Sequence, residues 1–91
     1  MKKVTIVIPC YNVSNYIKDV MRGVLSQSYD FLEVLLINDG STDKTLTIID
    51  KMTSKKVRVI NHPFNLGLAS VRNTAVVNAK GDYIVDRKSV V

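Results

Sequence analysis

A single cysteine, Cys10, in 91 residues excludes an internal disulfide and a multi-cysteine zinc site. No apolar run approaches the ~18 residues that a transmembrane helix requires, because Ser, Thr, Asn and Gly interrupt the longest uncharged stretches. The amino terminus reads Met1-Lys2-Lys3 and then a short apolar run ending at Pro9. The longer apolar core and small-residue cleavage site of a secretory signal are missing, so a cytoplasmic protein is expected. Glycine is absent where a dinucleotide fold needs it: Pro9-Cys10-Tyr11-Asn12 stands in place of G-x-G-x-x-G, and no G-x-x-x-x-G-K-S/T loop occurs. Both absences argue against NAD and P-loop readings. Basic residues outnumber acidic ones, 13 to 8, for a net charge of +5, yet only Lys55-Lys56-Val57-Arg58 and Arg87-Lys88 cluster. A nucleic-acid binder more often carries a basic stripe interleaved with aromatics. The excess charge therefore reads as solvated surface, and no nucleic-acid partner is expected.

What is present is an ordinary globular mix, 46% apolar and 23% charged, sufficient for one domain over residues 1–91. Val4-Thr5-Ile6-Val7-Ile8 is a β-branched run stopped by Pro9, which reads as a strand buried on both faces. Tyr16/Ile17, Val20/Met21 and Val24/Leu25 recur at near-four spacing, the mark of an amphipathic helix with Ser14 or Asn12 as its cap. Val34–Ile37 gives a second strand, Thr42 to Met52 a second helix with Leu46 and Ile49 inward, and Val57–Ile60 a third strand. A third helix runs from Leu66 or Gly67 to Ala79, and after Gly81 a fourth strand occupies Asp82–Val85. Strict alternation calls for a three-layer α/β/α, Rossmann-like open parallel sheet with right-handed crossovers. The most economical strand order is 3-2-1-4, with two helices on one face and one on the other. Ligands of such sheets sit beyond the carboxyl ends of the strands at the switch point beside strand 1.

The residues at those ends are thereby nominated. Asp39 either caps the following helix, together with Ser41, or aims an acceptor into the cleft. On a helical wheel started at Leu68, Arg72 falls at about 40°, between Ala79 at about 20° and Val76 at about 80°. That places the guanidinium within the apolar stripe, where it needs an anion or several acceptors: an internal pair with Asp39, a ligand phosphate or base at the switch point, or else solvent reached by snorkelling. Tyr11 offers a ring for stacking on a base or for lining the core edge. Cys10 is most simply a small hydrophobe. His62, alone before Pro63, has no partner at metal-ligand or triad spacing, and Asn65-Leu66-Gly67 reads as turn chemistry at a helix start.

Five stretches in order resemble the start of glycosyltransferase family 2: V-T-I-V-I-P-C-Y-N, Leu25-Ser-Gln-Ser-Tyr29, E-V-L-L-I-N-D-G-S-T-D, N-L-G-L-A-S-V-R-N and Ala79-Lys-Gly-Asp-Tyr-Ile-Val85. The resemblance implies the first half of a GT-A fold and a nucleotide-sugar site favouring UDP-type donors. It implies that Tyr11 packs on the base, Pro9 shapes the same pocket, Asp39 accepts from the uracil ring and Arg72 lies beside the nucleotide. The departure falls after Val85. Where the family pattern expects F-L-D-x-D-D, whose D-x-D holds a divalent metal, this sequence reads Asp86-Arg87-Lys88-Ser89-Val90-Val91. The expectation is a nucleotide-binding portion without its own metal clamp or acceptor half, inactive alone, with Mn or Mg expected only in a full-length relative. The alternative is a non-catalytic nucleotide-binding or assembly module of the same fold. An open fourth strand with Ile84, Val85, Val90 and Val91 around it further suggests a homodimer, or a higher closed oligomer, through the C-terminal strand.

Overall fold

The computed structural model describes residues 2–26 and 32–87. Its elements alternate as β1 (Val4–Cys10), α1 (Ile17–Leu25), β2 (Leu32–Asp39), α2 (Thr45–Asp50), β3 (Val57–His62), α3 (Leu68–Asn78) and β4 (Tyr83–Asp86). The four strands form one sheet in the expected order β3-β2-β1-β4, and every pairing is parallel. Gln27, Ser28 and Tyr29 of the second family-like stretch, and Lys88, Val90 and Val91, lie outside the described residues.

Residue parity divides the core. Ile6, Ile8 and Cys10 of β1 pack with Leu32, Val34 and Leu36 of β2 against Ile17, Met21 and Val24 of α1 and Ile49 of α2. Val7 and Ile37 point to the opposite face, where they meet Val71 and Ala75 of α3 and the partly buried Ile60. The period-two alternation of strand side chains produces this split. β2 is buried along its whole length, which explains its continuous apolar run.

Two expectations about element ends are corrected. β1 passes through Pro9 to Cys10 rather than stopping at Ile8. Val7 accepts from the Arg87 amide on the β4 side at 2.9 Å, so Pro9, two residues on, also directs its backbone to that side. The β1–β4 register ends at Val7 and Asp86, so the ladder has no use there for the N–H that proline lacks. The second helix is shorter than Thr42 to Met52. The amides of Thr42 and Asp43 donate to Asn12 Oδ1, at 2.8 and 3.3 Å, instead of entering a helical ladder. At the other end the Lys51 and Met52 amides bond three residues back, to Ile48 and Ile49, tightening the last turn.

Neither Ser14 nor Asn12 caps α1, whose N-cap Tyr16 makes no side-chain capping bond. Asn12 adopts a positive φ of 53°, a conformation asparagine tolerates. From there it ties the β1–α1 loop to the β2–α2 loop. The Asn12 amide donates to Ser41 Oγ (3.0 Å), the Val13 amide to Thr45 Oγ1 (2.9 Å) and the Ser14 amide to the Asp43 carboxylate (3.3 Å).

At the amino ends of the strands, buried Glu33 accepts from Thr5 Oγ1 (2.7 Å), Arg58 Nε (2.8 Å) and the Lys80 amide (3.0 Å). The Gly81 amide donates to Thr5 Oγ1 at 2.9 Å. This network anchors the chain between α3 and β4, and so fixes where β4 joins the sheet.

Candidate functional site

The carboxyl ends of β1 and β2 open into a cleft of about 300 Å³ lined by Pro9, Cys10, Tyr11, Asp39, Asn65, Gly67, Leu68 and Val71. Three of the four residues nominated from the sequence, Pro9, Tyr11 and Asp39, are thus brought together. Tyr11 is 47% exposed, leaving its ring free for contact. Cys10 is fully buried and its thiol donates to the Ile8 carbonyl at 3.4 Å. Burial pushes the thiol pKa up to about 12, so it is a neutral lining group.

Asp39 is only 5% exposed. Oδ1 accepts from His62 Nδ1 (2.9 Å) and the Leu66 amide (3.0 Å), while Oδ2 accepts from the Gly67 amide (3.0 Å). Burial by itself raises the carboxyl pKa, but these hydrogen bonds and the attraction of the His62 ring hold it below the ordinary aspartate value. The side chain therefore does not cap α2. It captures the amides leading into α3, across the strand end, and so sets the height and rotation of that helix. Gly40 lets the β3–α3 loop approach: at φ +70°, a Cβ placed on it would fall well under 3.0 Å from the Asn65 nitrogen.

Arg72 is the residue the structure does not bring to the cleft. The expected inward stripe is displaced: Val71 and Ala75 are buried, whereas Leu68, Val76 and Val77 are exposed. On the same wheel Val71 lies at about −60°, Ala75 at about −20° and Thr74 at about −120°, so the packed arc is centred roughly 110° from Arg72. Because apolar and polar side chains are interspersed around α3, its sequence does not specify which arc packs. The Asp39 bonds to the Leu66 and Gly67 amides and a His62–Thr74 bond do. Arg72 instead meets Asp86, with Nε 3.4 Å from Oδ2 and side chains 62% and 49% exposed.

His62 is the site residue that spacing did not reveal. It is 8% exposed, with Nδ1 against Asp39 and Nε2 2.8 Å from Thr74 Oγ1. The parallel register pairs Asp39 with His62 directly. The signal was therefore strand alignment across the sheet, not separation along the chain.

Open parallel α/β sheets take their ligands beyond the carboxyl ends of the strands at the switch point, which is where this cleft opens. The chain belongs to glycosyl transferase family 2, whose family profile matches residues 5–85. It is 47% identical over 83 residues to a chondroitin synthase of Pasteurella multocida, covering 89% of this chain and 8% of that protein. An uncharacterized glycosyltransferase of Haemophilus influenzae is 40% identical over 86 residues, covering 92% of this chain and 34% of that one. S. aureus TarS 1–349 in complex with UDP-GlcNAc superposes with a TM-score of 0.86 at 29% identity, over 94% of this chain and 26% of that 1–349 chain. A mannosyltransferase of Pyrobaculum calidifontis in complex with GDP-Man and Mn2+ gives 0.87 at 27% identity, over 96% and 27%. The two solved structures share the GT-A-like sheet, and the chain spans about a third or less of each of these four proteins.

A metal such as the Mn2+ of that mannosyltransferase finds no fit among the described residues. They contain no group of three or more His, Cys, Asp or Glu side chains able to hold an ion. Asp86, nearest the expected D-x-D, is engaged by Arg72. No described helix is long and apolar enough to cross a membrane.

Proposed function

We propose that the chain is the donor-binding portion of a nucleotide-sugar-dependent glycosyltransferase and takes a UDP-type nucleotide in the cleft beside β1. The observation that carries this reading is the Asp39 carboxylate. It is buried and fixed by three protein donors, and it lines the cleft with one Oδ2 acceptor position unused among the described residues. Such an acceptor suits the ring N–H of uracil. Tyr11 supplies a face for stacking and Pro9 a rigid wall. The UDP and UDP-GlcNAc bound by TarS support a uridine donor, although the GDP-Man bound by the mannosyltransferase shows that neighbours of this fold differ in their base. Arg72 joins the nucleotide by leaving Asp86. An exposed ion pair is worth at most about 1 kcal/mol, so a diphosphate competes well for the guanidinium.

Sugar transfer is not expected from these residues alone, since Asp86 is followed by Arg87-Lys88 rather than by a second carboxylate. Calorimetric or NMR titration tests the reading. UDP binds weakly and more tightly than NAD, and Asp39→Ala weakens it. No response at millimolar UDP, or turnover of a UDP-sugar with added metal, overturns it. Self-association through β4 is a second part of the proposal. All four β4 residues are exposed, including Tyr83, Ile84 and Val85, and among the described residues β4 pairs only with β1. An open edge of this kind recruits another strand.

A further inference from the structure

We propose that His62 is a positioning residue of the nucleotide cleft, holding the Asp39 carboxylate so that its remaining acceptor position faces the ligand. The inference rests on the reading that Asp39 accepts a base N–H. An ionised carboxylate has about four acceptor positions. Two positions on Oδ1 are filled by His62 Nδ1–H and the Leu66 amide, and one on Oδ2 by the Gly67 amide. Without His62 the carboxylate keeps one loop amide on each oxygen and loses the second donor that holds Oδ1.

The ring is itself held. Asp39 can only accept, so Nδ1 carries a proton, and Nε2 lies 2.8 Å from Thr74 Oγ1 on α3. A hydroxyl donates to a bare Nε2 and accepts from a protonated one, so the chain Asp39–His62–Thr74 is satisfied in either charge state of the ring. What Asp39 needs from His62 is therefore an N–H at Nδ1, not a positive charge. Thr74 and Val71 lie on the face of α3 turned to the sheet, and Val71 also lines the cleft. The histidine thus couples the base acceptor of β2 to the helix that forms the cleft's other wall.

A positioning His62 behaves differently from a residue that merely fills space. In the 91-residue chain, His62→Ala is expected to weaken UDP binding about tenfold, the usual scale for a lost bond to a charged group. His62→Asn, whose side-chain amide places an N–H near the Nδ1 position, is expected to restore affinity to within about threefold of the unaltered chain. In an Asp39→Ala background, which removes the acceptor, His62→Ala is expected to cost little more, because its effect runs through the carboxylate. Thr74→Val leaves the ring unanchored, is expected to reduce affinity by a smaller factor, and carries the test if His62→Ala does not fold. Positioning is overturned if UDP binding depends on Asp39 while His62→Ala or Thr74→Val leaves it unchanged. It is equally overturned if Asn fails to rescue, or if the loss is the same with and without the Asp39 carboxylate. Should UDP not bind at all, or bind independently of Asp39, the nucleotide reading fails and the proposal fails with it, a pattern distinct from the other outcomes.

Discussion

Gly40→Ala probes the junction on which both the fold of the cleft and the fixing of Asp39 depend. Alanine at φ +70° adopts a left-handed conformation that costs about 1–2 kcal/mol. Its Cβ also lands well under 3.0 Å from both the Asn65 nitrogen and the Phe64 carbonyl carbon. Both are backbone atoms and cannot swing aside as a side-chain tip does. The loop must withdraw, and the next two amides, Leu66 and Gly67, are those held at 3.0 Å by Asp39. Weakening two hydrogen bonds to a charged acceptor adds about 2–3 kcal/mol. The total, about 3–5 kcal/mol, is a large share of the roughly 5–14 kcal/mol available to a chain of this length. Urea unfolding followed by circular dichroism should show a midpoint lowered by about 2 M or more, or no folded baseline at all. Gly40→Asn separates the two costs: asparagine tolerates the left-handed conformation but carries the same Cβ. If strain alone mattered, asparagine would recover most of the stability. A Gly40→Asn midpoint close to that of the unaltered chain would therefore refute the close-approach argument.

Gly23 is exposed on α1, and among the described residues a methyl group there would meet only the Arg87 side chain, at 3.9 Å, so Gly23→Ala should stabilise by about 0.5–1 kcal/mol and raise Tm by a few degrees; a lower Tm would contradict the packing of that face. Asp39, Glu33 and Asp43 all have folded pKa values below the ordinary carboxylate range, because hydrogen bonds outweigh burial, and that of Asp43 falls to about 2. Their stabilisation is accordingly complete above about pH 4 and is lost as pH falls through the folded values; urea midpoints should be level from these groups between about pH 5 and 8 and drop toward about pH 2, and a drop centred near pH 6 would point to other groups. Val85→Lys places a charge on the exposed β4 edge, so light scattering at tens of micromolar should show the proposed dimer for the unaltered chain and a monomer for the variant; a monomer in both would eliminate β4-mediated association.

Much was legible in the chain because it is local. The β-branched runs, the near-four spacing from Ile17 to Val24 and the strict alternation of elements determine a parallel sheet and its order, since right-handed crossovers leave few arrangements. The same order locates the cleft, and Pro9, Tyr11 and Asp39 line it because each lies at or just beyond the carboxyl end of a strand. What the chain could not settle is what depends on contacts between distant segments. Asn12 was open to use as a helix cap, but its side chain bonds Thr42 and Asp43 instead, and that exchange also shortened α2. Arg72 sits on a helix whose apolar and polar residues are interspersed around its circumference, so periodicity offered several packing arcs of similar burial. Only the Asp39 bonds to the Leu66 and Gly67 amides, with His62 reaching Thr74, chose the arc that turns Arg72 outward. His62 itself carries no motif. It became part of the site because the β2–β3 register sets it beside an aspartate 23 residues earlier in the chain, where burial leaves each the other's hydrogen-bond partner.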